Sequence, residues 1–251
     1  MTRIIIRGCN GRMGKVISGI CDSDPEICVV AGVDVFDTGS NPYPVFKTLK
    51  ECGNEADAVI DFSSPNGFED FIDECVERKL PLVLCTTGLS EEQLARVRKA
   101  SKKIPVLRSA NMSLGINTLI KILKNVSAKL SASGFDIEIV EKHHNQKLDA
   151  PSGTAIALGE AVNSALPEKF DFVYDRSERR EKRPKNEIGI SAVRGGSIVG
   201  DHEVIFAGPD EVIEIKHTAY SRAIFGNGAV QAAKFLAGQE PGMYDMSDVI
   251  G

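Results

Sequence analysis

The chain has 251 residues, of which 42% are hydrophobic and 26% are charged, and its formal net charge is -5 at pH 7. These values are typical of a globular protein with one or two domains, and they argue against a disordered chain or a dedicated nucleic-acid binder. No apolar run reaches transmembrane length, no signal peptide is indicated, and the six cysteines form no C-x-x-C pair. We therefore expect a cytoplasmic protein with reduced thiols and no membrane or nucleic-acid partner.

A glycine turn follows the first predicted strand. Three consecutive isoleucines lead into Gly8-x-x-Gly11-x-x-Gly14 and then into a helical pattern, and a second strand over 27–33 ends at Asp34. Glycines let the backbone approach a pyrophosphate, a helix N-terminus stabilises its charge, and a carboxylate accepts hydrogen bonds from ribose hydroxyls. The pattern therefore predicts a dinucleotide site, and the alternative is a tight turn whose glycines serve packing.

Further buried strands are predicted over 57–62, 81–85 and 104–107, with a helix that begins at the capping box Ser90-Glu91-Glu92-Gln93. Alternating strands and helices indicate an α/β domain with a doubly wound parallel sheet of the Rossmann type. Ligands bind beyond the carboxyl ends of such strands. The loops at 63–65 and 86–88 are therefore either cofactor contacts or plain connecting turns.

The period of the pattern changes in the second half of the chain. A helical run over 119–130 precedes a strand in which Phe135, Ile137 and Ile139 alternate with acids, and further strands follow over 188–193, 202–207 and 211–219. The charged segment 175–187 is expected to be a solvated loop, and 222–237 to be a helix. We predict a second, α+β domain with a mixed or antiparallel sheet, with bounds 1–112 (completed by 219–251) for the first domain and 113–218 for the second.

The segment 141–155 concentrates the polar chemistry of the second half. His143 and His144 are adjacent, Lys147 follows, and Pro151-Ser152-Gly153-Thr154 opens a helix predicted to run to about Leu166. Neighbouring histidines on a strand point to opposite faces, and a helix N-terminus beside a lysine suits a carboxylate. The segment predicts a site that holds and protonates a small anion. The alternative is structural histidines with a surface lysine, and no metal-ligand spacing is present.

These motifs together are similar to those of the dihydrodipicolinate reductase family, and the similarity runs essentially from end to end. The residues that carry it are Gly8-x-x-Gly11-Arg12-Met13-Gly14, Thr86-Thr87-Gly88, Ala110-Asn111-Met112-Ser113-x-Gly115-x-Asn117, Glu141-x-His143-His144-x-x-Lys147-x-Asp149-Ala150-Pro151-Ser152-Gly153-Thr154-Ala155, Arg194-Gly195-Gly196 and Tyr244-Asp245-Met246-x-Asp248-Val249.

The resemblance implies an oxidoreductase of lysine and diaminopimelate synthesis that uses NADH or NADPH to reduce a cyclic, conjugated imine with two carboxylates. It implies His143 as the proton donor, assisted by Lys147. It implies a substrate-carboxylate site formed by His144, Lys147, Ser152, Gly153 and Thr154. It also implies a cofactor site. The pyrophosphate would be held by Gly8, Gly11, Arg12, Met13 and Gly14, and the adenosine ribose by Asp34. The nicotinamide side would be held by Phe62, Thr86, Thr87, Ala110 and Met112.

Two positions bear on how the cofactor is bound. Val35 follows Asp34 where members that use NADPH well often have an arginine, so we expect NADH to be preferred or both cofactors to be used. Arg12 could partly compensate, and Cys85 replaces the usual glycine before Thr86. The family further implies a homotetramer formed through the second-domain sheet, in which hydride and proton come from different domains. The alternatives are another two-domain nicotinamide oxidoreductase and a non-catalytic NAD-sensing module.

Overall fold

The computed structural model describes residues 1–37 and 39–251. The chain divides into two compact units, Met1–Leu114 with Ala223–Gly251, and Gly115–Arg222. In the described residues no helix is both long and apolar enough to cross a membrane. In chain order the elements are β1 (Thr2–Arg7), α1 (Arg12–Asp22), β2 (Ile27–Val33), β3 (Val45–Phe46), β4 (Ala58–Asp61), α2 (Phe68–Glu77), β5 (Leu82–Leu84), α3 (Glu91–Ala100), β6 (Pro105–Leu107), α4 (Leu114–Ala132), β7 (Asp136–His143), α5 (Gly153–Ala165), β8 (Asp171–Val173), β9 (Glu187–Arg194), β10 (Gly200–Ala207), β11 (Val212–Ala219), α6 (Ala223–Leu236), β12 (Gly242–Tyr244) and α7 (Met246–Ile250).

The first unit is built on a seven-stranded sheet in the order β12-β6-β5-β4-β1-β2-β3, and every pairing is parallel. Successive side chains of a strand point to opposite faces. Ile4 and Ile6 therefore join the core formed with α1 and α6, whereas Ile5 joins the core formed with α2 and α3. Helices cover both faces, which confirms the predicted doubly wound α/β architecture.

The shortest strands of the first unit are too short to show a hydrophobic pattern in the sequence. The strands β3 and β12 have two and three residues, and each exists because a longer sheet supplies its hydrogen-bonding partner. The capping box at Ser90 is present as predicted, since its side chain accepts from the backbone of Gln93 and the Gln93 side chain accepts from the backbone of Ser90. That reciprocal pair fixes the start of α3.

The second unit contains a five-stranded sheet in the order β11-β10-β7-β9-β8. The strand β10 runs antiparallel to β11 and β7, whereas β7, β9 and β8 are mutually parallel, so the sheet is mixed as predicted. Along β7 burial alternates at every residue, and the buried positions Ile137 and Ile139 pack against α4 and α5. The same alternation places Glu141 and His143 on the helix-covered face of the sheet.

The charged segment before β9 is a loop, as predicted, but its arginines are not simply solvated. Arg176 and Arg183 donate hydrogen bonds to Glu138 at 2.8 to 2.9 Å, and Arg179 donates to Glu187 at 2.6 Å. Glu138 lies on the face of the sheet opposite His143, by the alternation along β7. These arginines therefore fasten the loop to that face, and hydrogen bonds from Arg179 and Arg176 lower the pKa of Glu187 to about 2.

Candidate active site

The glycine turn at the end of β1 has no room for side chains at two of its positions. Gly8 has a positive φ of 80°, and a Cβ atom there would lie 2.7 Å from the carbonyl oxygen of Phe62. A Cβ atom at Gly14 would lie 2.3 Å from the carbonyl oxygen of Gly8. Gly11 is the N-cap of α1 and supplies no side-chain cap. The turn therefore presents backbone groups and a helix N-terminus, which is the arrangement that binds pyrophosphate.

Asp34 follows β2 beside this turn, and its carboxylate is already oriented. One oxygen accepts from the backbone N–H of Asn10 at 3.0 Å and the other accepts from the N–H of Phe36 at 3.2 Å. A pocket of about 720 Å³ opens here, and of the predicted residues it is lined by Gly8, Gly11, Asp34 and Phe62. The remaining oxygen lone pairs of Asp34 are suited to ribose hydroxyls.

The other predicted cofactor residues lie at the same carboxyl edge of the sheet but outside the lining of this pocket. They are Arg12, Met13 and Gly14 in α1, Thr86 and Thr87 after β5, and Ala110 and Met112 after β6. Thr86 is buried, and its hydroxyl oxygen accepts from the N–H of Ser63 at 3.1 Å. The Met112 side chain belongs to the buried core, so any cofactor contact from this residue would come from its backbone.

Arg7 also lines the pocket, although the sequence pattern did not single it out. Its guanidinium lies 3.1 Å from the buried carboxylate of Asp61, donates to the carbonyl of Asn66 at 2.8 Å, and stacks over the ring of Phe71 at 4.4 Å. Burial raises the pKa of Asp61, and Arg7 opposes that shift. Because its donors are committed to these partners, Arg7 orders the floor of the pocket.

In the second unit, His143 ends β7 and is 8% exposed. Its Nδ1 lies 2.6 Å from Oε2 of Glu141, which has no exposed surface. Arg194 on β9 donates to both oxygens of Glu141 at 2.7 Å. Burial alone would raise the pKa of Glu141, but hydrogen bonds from Arg194 and His143 outweigh it, so the pKa is lowered. An ionised carboxylate only accepts hydrogen bonds, so Nδ1 of His143 is the donor.

The first turn of α5 is tied to the same group. Ser152 is its N-cap, and its hydroxyl oxygen accepts from the N–H of Ala155 at 3.1 Å. Its backbone N–H donates to Oε1 of Glu141 at 2.9 Å, and its hydroxyl lies 3.0 Å from Nε2 of His202 on β10. Burial, with a smaller effect of His143, lowers the pKa of His202 to about 4. His202 is therefore neutral near pH 7.

The loop between His143 and α5 carries the remaining predicted residues. Lys147 is half-buried, and its ammonium lies 2.8 Å from Oδ1 of Asp149, which lowers the pKa of that carboxyl group. His144 is partly exposed just beyond the strand, and its carbonyl accepts from the N–H of Lys147 at 3.2 Å. Gly153 and Thr154 are the first residues of α5. The predicted substrate residues thus occupy one loop and one helix start.

Three side chains of this group had no predicted role: Glu141, Arg194 and His202. The alternation along β7 extends from Ile137 and Ile139 to Glu141, so an acid on an apolar face was a readable signal. Arg194 and His202 could not be found in this way, because only the strand register brings them to the site. It pairs Arg194 with His143 and His202 with Glu141. In the described residues no group of three or more His, Cys, Asp or Glu is placed to hold a metal ion.

Comparison with protein families gives matches to both halves of the chain. The family described as dihydrodipicolinate reductase, N-terminus, matches residues 2–112, and the family described as dihydrodipicolinate reductase, C-terminus, matches residues 115–250. Together they cover nearly all of the sequence.

Individual relatives extend over the same length. The chain is 57% identical over 250 residues to a 4-hydroxy-tetrahydrodipicolinate reductase of Caldanaerobacter subterraneus, covering 100% of this chain and 98% of the relative. It is 52% identical to the enzyme of that name in Clostridium tetani, covering 98% and 96%. A dipicolinate-bound dihydrodipicolinate reductase from Paenisporosarcina superposes with a TM-score of 0.81 at 24% identity, covering 99% of each chain. That last likeness bears on the fold.

Proposed function

The chain belongs to the dihydrodipicolinate reductase family, and we propose that it reduces 4-hydroxy-tetrahydrodipicolinate to tetrahydrodipicolinate with NADH or NADPH. This is an oxidoreductase step of lysine and diaminopimelate synthesis. The observation that carries the proposal is the match of both halves of the chain to one family, with 57% identity to one relative over 98% of its length. The segment from His143 to Thr154 is intact in this chain.

The cofactor would be held at the carboxyl edge of the parallel sheet, and the bound cofactor supplies the hydride. The fit rests on Gly8 and Gly14, where a Cβ atom would collide with backbone oxygen atoms at 2.7 and 2.3 Å. With Gly11, Arg12 and Met13 these residues would hold the pyrophosphate, and Asp34 would accept the ribose hydroxyls. Phe62, Thr86, Thr87, Ala110 and Met112 would lie on the nicotinamide side.

His143 is the proposed proton donor to the substrate. Its Nδ1 is engaged by Glu141 at 2.6 Å, so Nε2 is the nitrogen from which a proton can leave. A Cβ atom at Gly200, on the neighbouring strand, would lie 3.1 Å from Nε2, so the glycine leaves space beside that atom. Lys147 would add positive charge and assist proton supply, as general acid catalysis requires a positioned donor and a stabilised anion.

The substrate is a small dicarboxylate, and we assign its carboxylates to His144, Lys147, Ser152, Gly153 and Thr154. The N-terminus of α5 favours negative charge. Ser152 already uses its N–H for Glu141 and its hydroxyl for His202 and Ala155, so its part is to fix the turn. Lys147 is paired with Asp149 at 2.8 Å, so a bound carboxylate would share or replace that partner.

For the cofactor we propose that NADH is preferred or that both forms are used. The carboxylate of Asp34 repels a 2'-phosphate, and Val35 offers it no bidentate partner. Lys47 tempers this preference because it follows β3 beside Asp34, whose N–H donates to the carbonyl of Phe46 at 2.9 Å, and it lines the same pocket. A kcat/KM ratio that strongly favours NADPH would contradict the proposal.

We further propose a homotetramer formed through the second-unit sheet. The face of this sheet turned away from α5 carries Val193 and Val212, which are 45% and 57% exposed. We also propose a cytoplasmic location, since all six cysteines are free and a reducing compartment favours that state. Mass measurement by light scattering tests the assembly, and a monomer at working concentration would contradict it.

The test of the reaction is the loss of reduced cofactor absorbance when the condensation product of pyruvate and aspartate semialdehyde is added. Turnover that depends on this substrate supports the proposal. A different oxidoreductase would oxidise NADH only with another substrate, and a sensing module would bind NADH without turnover. Lys147→Ala is the first variant to compare, since it should lose turnover while it keeps NADH binding.

A further inference from the structure

Glu141 makes hydrogen bonds to three different parts of the second unit. Its two oxygens meet the ring of His143 on its own strand, the guanidinium of Arg194 on β9 and the backbone N–H of Ser152 at the start of α5, all within 2.9 Å. The carboxylate has no exposed surface. A buried, ionised carboxylate is stable only when hydrogen-bond donors replace the water that it has lost. Here the donors are two residues of the segment 141–155, His143 and Ser152, and Arg194 on the neighbouring strand.

We propose that Glu141, clamped by Arg194, is a positioning residue that selects the reacting nitrogen of His143 and sets the first turn of α5. The inference rests on the proposed function of His143 as the proton donor. Glu141 is buried and is not among the proposed substrate-binding residues, so it would act through His143 and through the first turn of α5.

The selection of the nitrogen follows from donor and acceptor chemistry. Arg194 uses both of its terminal nitrogens on Glu141, which is the fork geometry that best holds a carboxylate in its ionised form. The carboxylate can then only accept from Nδ1 of His143, so the neutral ring carries its proton there. The other nitrogen, Nε2, lies beside Gly200 and is the one that gains and loses the catalytic proton.

The placement of α5 follows from the second oxygen. Oε1 accepts from the N–H of Ser152, the residue that caps α5, and from Arg194. Arg194 also donates to the carbonyl of Asp149 at 2.6 Å, on the loop that leads into the helix. One carboxylate therefore fixes the distance between the acid and the helix N-terminus that would bind the substrate anion, and positioned groups gain their advantage from such fixed geometry.

Other titratable groups that face this site do not compete for the role. His202 packs edge-on against His143 with ring centres 5.1 Å apart, and its Nε2 forms a hydrogen bond with the Ser152 hydroxyl at 3.0 Å. His217 on β11 pairs with His202 in register. Both have a lowered pKa because burial disfavours the charged ring. The charged groups of this cluster are therefore Glu141, which contacts His143, and Arg194, which contacts Glu141, and the following loop adds the pair Lys147 and Asp149.

The test compares Glu141→Gln with the matched variant Glu138→Gln. Glu138 lies three residues earlier on β7, is also bonded to arginines, and faces the opposite side of the sheet. In Glu141→Gln the amide no longer stabilises the His143 cation, so the limb of the kcat/KM profile that requires the protonated acid moves to lower pH. We expect kcat to fall on the order of 10- to 100-fold, by analogy with the loss of a carboxylate that orients a metal-bound histidine.

Glu138→Gln should lower thermal stability without moving this limb. If Glu141→Gln keeps the wild-type profile, or if both variants move the limb equally, the positioning role is wrong. Should Glu141→Gln fail to fold, Arg194→Lys serves instead, because it removes the fork but keeps a cation. Its histidine-ring NMR spectrum should show a mixture of the Nδ1–H and Nε2–H forms of His143, and a wild-type spectrum would overturn the proposal.

A direct readout separates this inference from the proposed reaction. Heteronuclear NMR of the histidine rings reports which nitrogen carries the proton without any turnover. We expect the Nδ1–H form of His143 in the wild type and a mixture of forms in Glu141→Gln. If the wild type lacks reductase activity but shows that contrast, the proposed function fails and the structural assignment of Glu141 stands. If the wild type itself shows the Nε2–H form, the inference fails.

Discussion

The glycine turn after β1 and the Glu141–His143 group at the end of β7 both lie at the carboxyl end of a strand, yet they are built in opposite ways. The turn depends on side chains that are absent, since backbone oxygen atoms occupy the space that a Cβ of Gly8 or Gly14 would need. The group on β7 depends on contacts that join two strands and one helix start. A site made of backbone tolerates almost no substitution, whereas a site made of hydrogen bonds can be dismantled one bond at a time.

The two regions also differ in how they respond to pH. All four histidines of the chain lie in the second unit, between Gly115 and Arg222. The first unit instead buries an acid–base pair, Arg7 with Asp61. Changes in acidity between neutral and mildly acidic pH should therefore act on the second unit first.

The largest effect should come from removing the proposed acid. His143→Ala should lower kcat by ~10²- to 10⁴-fold, the usual contribution of positioned general acid catalysis. NADH affinity should stay at the wild-type level, because the proposed cofactor residues lie in the other unit. Steady-state kinetics and a fluorescence titration with NADH measure the two quantities. An unchanged kcat would remove His143 from the mechanism and with it the contrast between the two sites.

A second test uses the buried histidine His202, whose pKa falls from 6.5 to about 4 in the folded protein. The unfolded chain binds the proton more readily, so stability is complete above pH 6.5 and is lost as the pH falls toward 4. This group contributes a loss of roughly 3 kcal/mol over that window. Denaturant unfolding at a series of pH values measures it, with His202→Asn as the reference.

In His202→Asn this part of the loss of folding stability at low pH should disappear, although other groups still titrate. Identical pH slopes in the two proteins would show that His202 is not held neutral. Hydrogen exchange sharpens the comparison, because amides of β7 and β10 should lose protection at low pH before those of β1 and β4.

The turn can be tested with two glycines of the same helix. In Gly14→Ala the new Cβ would meet the carbonyl of Gly8 at 2.3 Å, so the turn must move, at a cost of about 1–3 kcal/mol. A Cβ atom at Gly19 would meet nothing within 4 Å, so Gly19→Ala should keep or slightly raise stability. Thermal unfolding and NADH titration compare them. Equal NADH affinity in both would mean that the tight packing of the turn does not govern cofactor binding.

The smallest expected effect concerns the choice of cofactor. Lys47→Ala removes a cation from the pocket that holds Asp34, so kcat/KM with NADPH should fall roughly two- to fivefold more than with NADH, as for one exposed ion pair. Lys50→Ala is the control, since that lysine is exposed in the same segment and outside the pocket lining. A ratio that stays constant in Lys47→Ala would leave cofactor choice to Asp34 and Val35.

These differences explain what could be read from the sequence. The glycine turn, the strand 4–6 and the capping box at Ser90 were predictable because each is a local pattern with a local physical cause. The strand β12 was not, because three residues become a strand only when β6 supplies hydrogen bonds. The same holds for Arg194 and His202, which are 53 and 61 residues from Glu141 and meet it only through the register of the sheet.

The split composition of the first unit has a consequence for how the protein is made. A ribosome releases residues 1–114 well before α6 and β12, since all of Gly115–Arg222 is translated in between. Until then Ile4 and Ile6 lack the cover of Ala229, Val230 and Leu236, and the outer edge of β6 has no partner. The sheet and core of the first unit can therefore be completed only after the second unit has been synthesised. A nucleotide site built on that sheet would reach its final form only after residues 223–244 have been added.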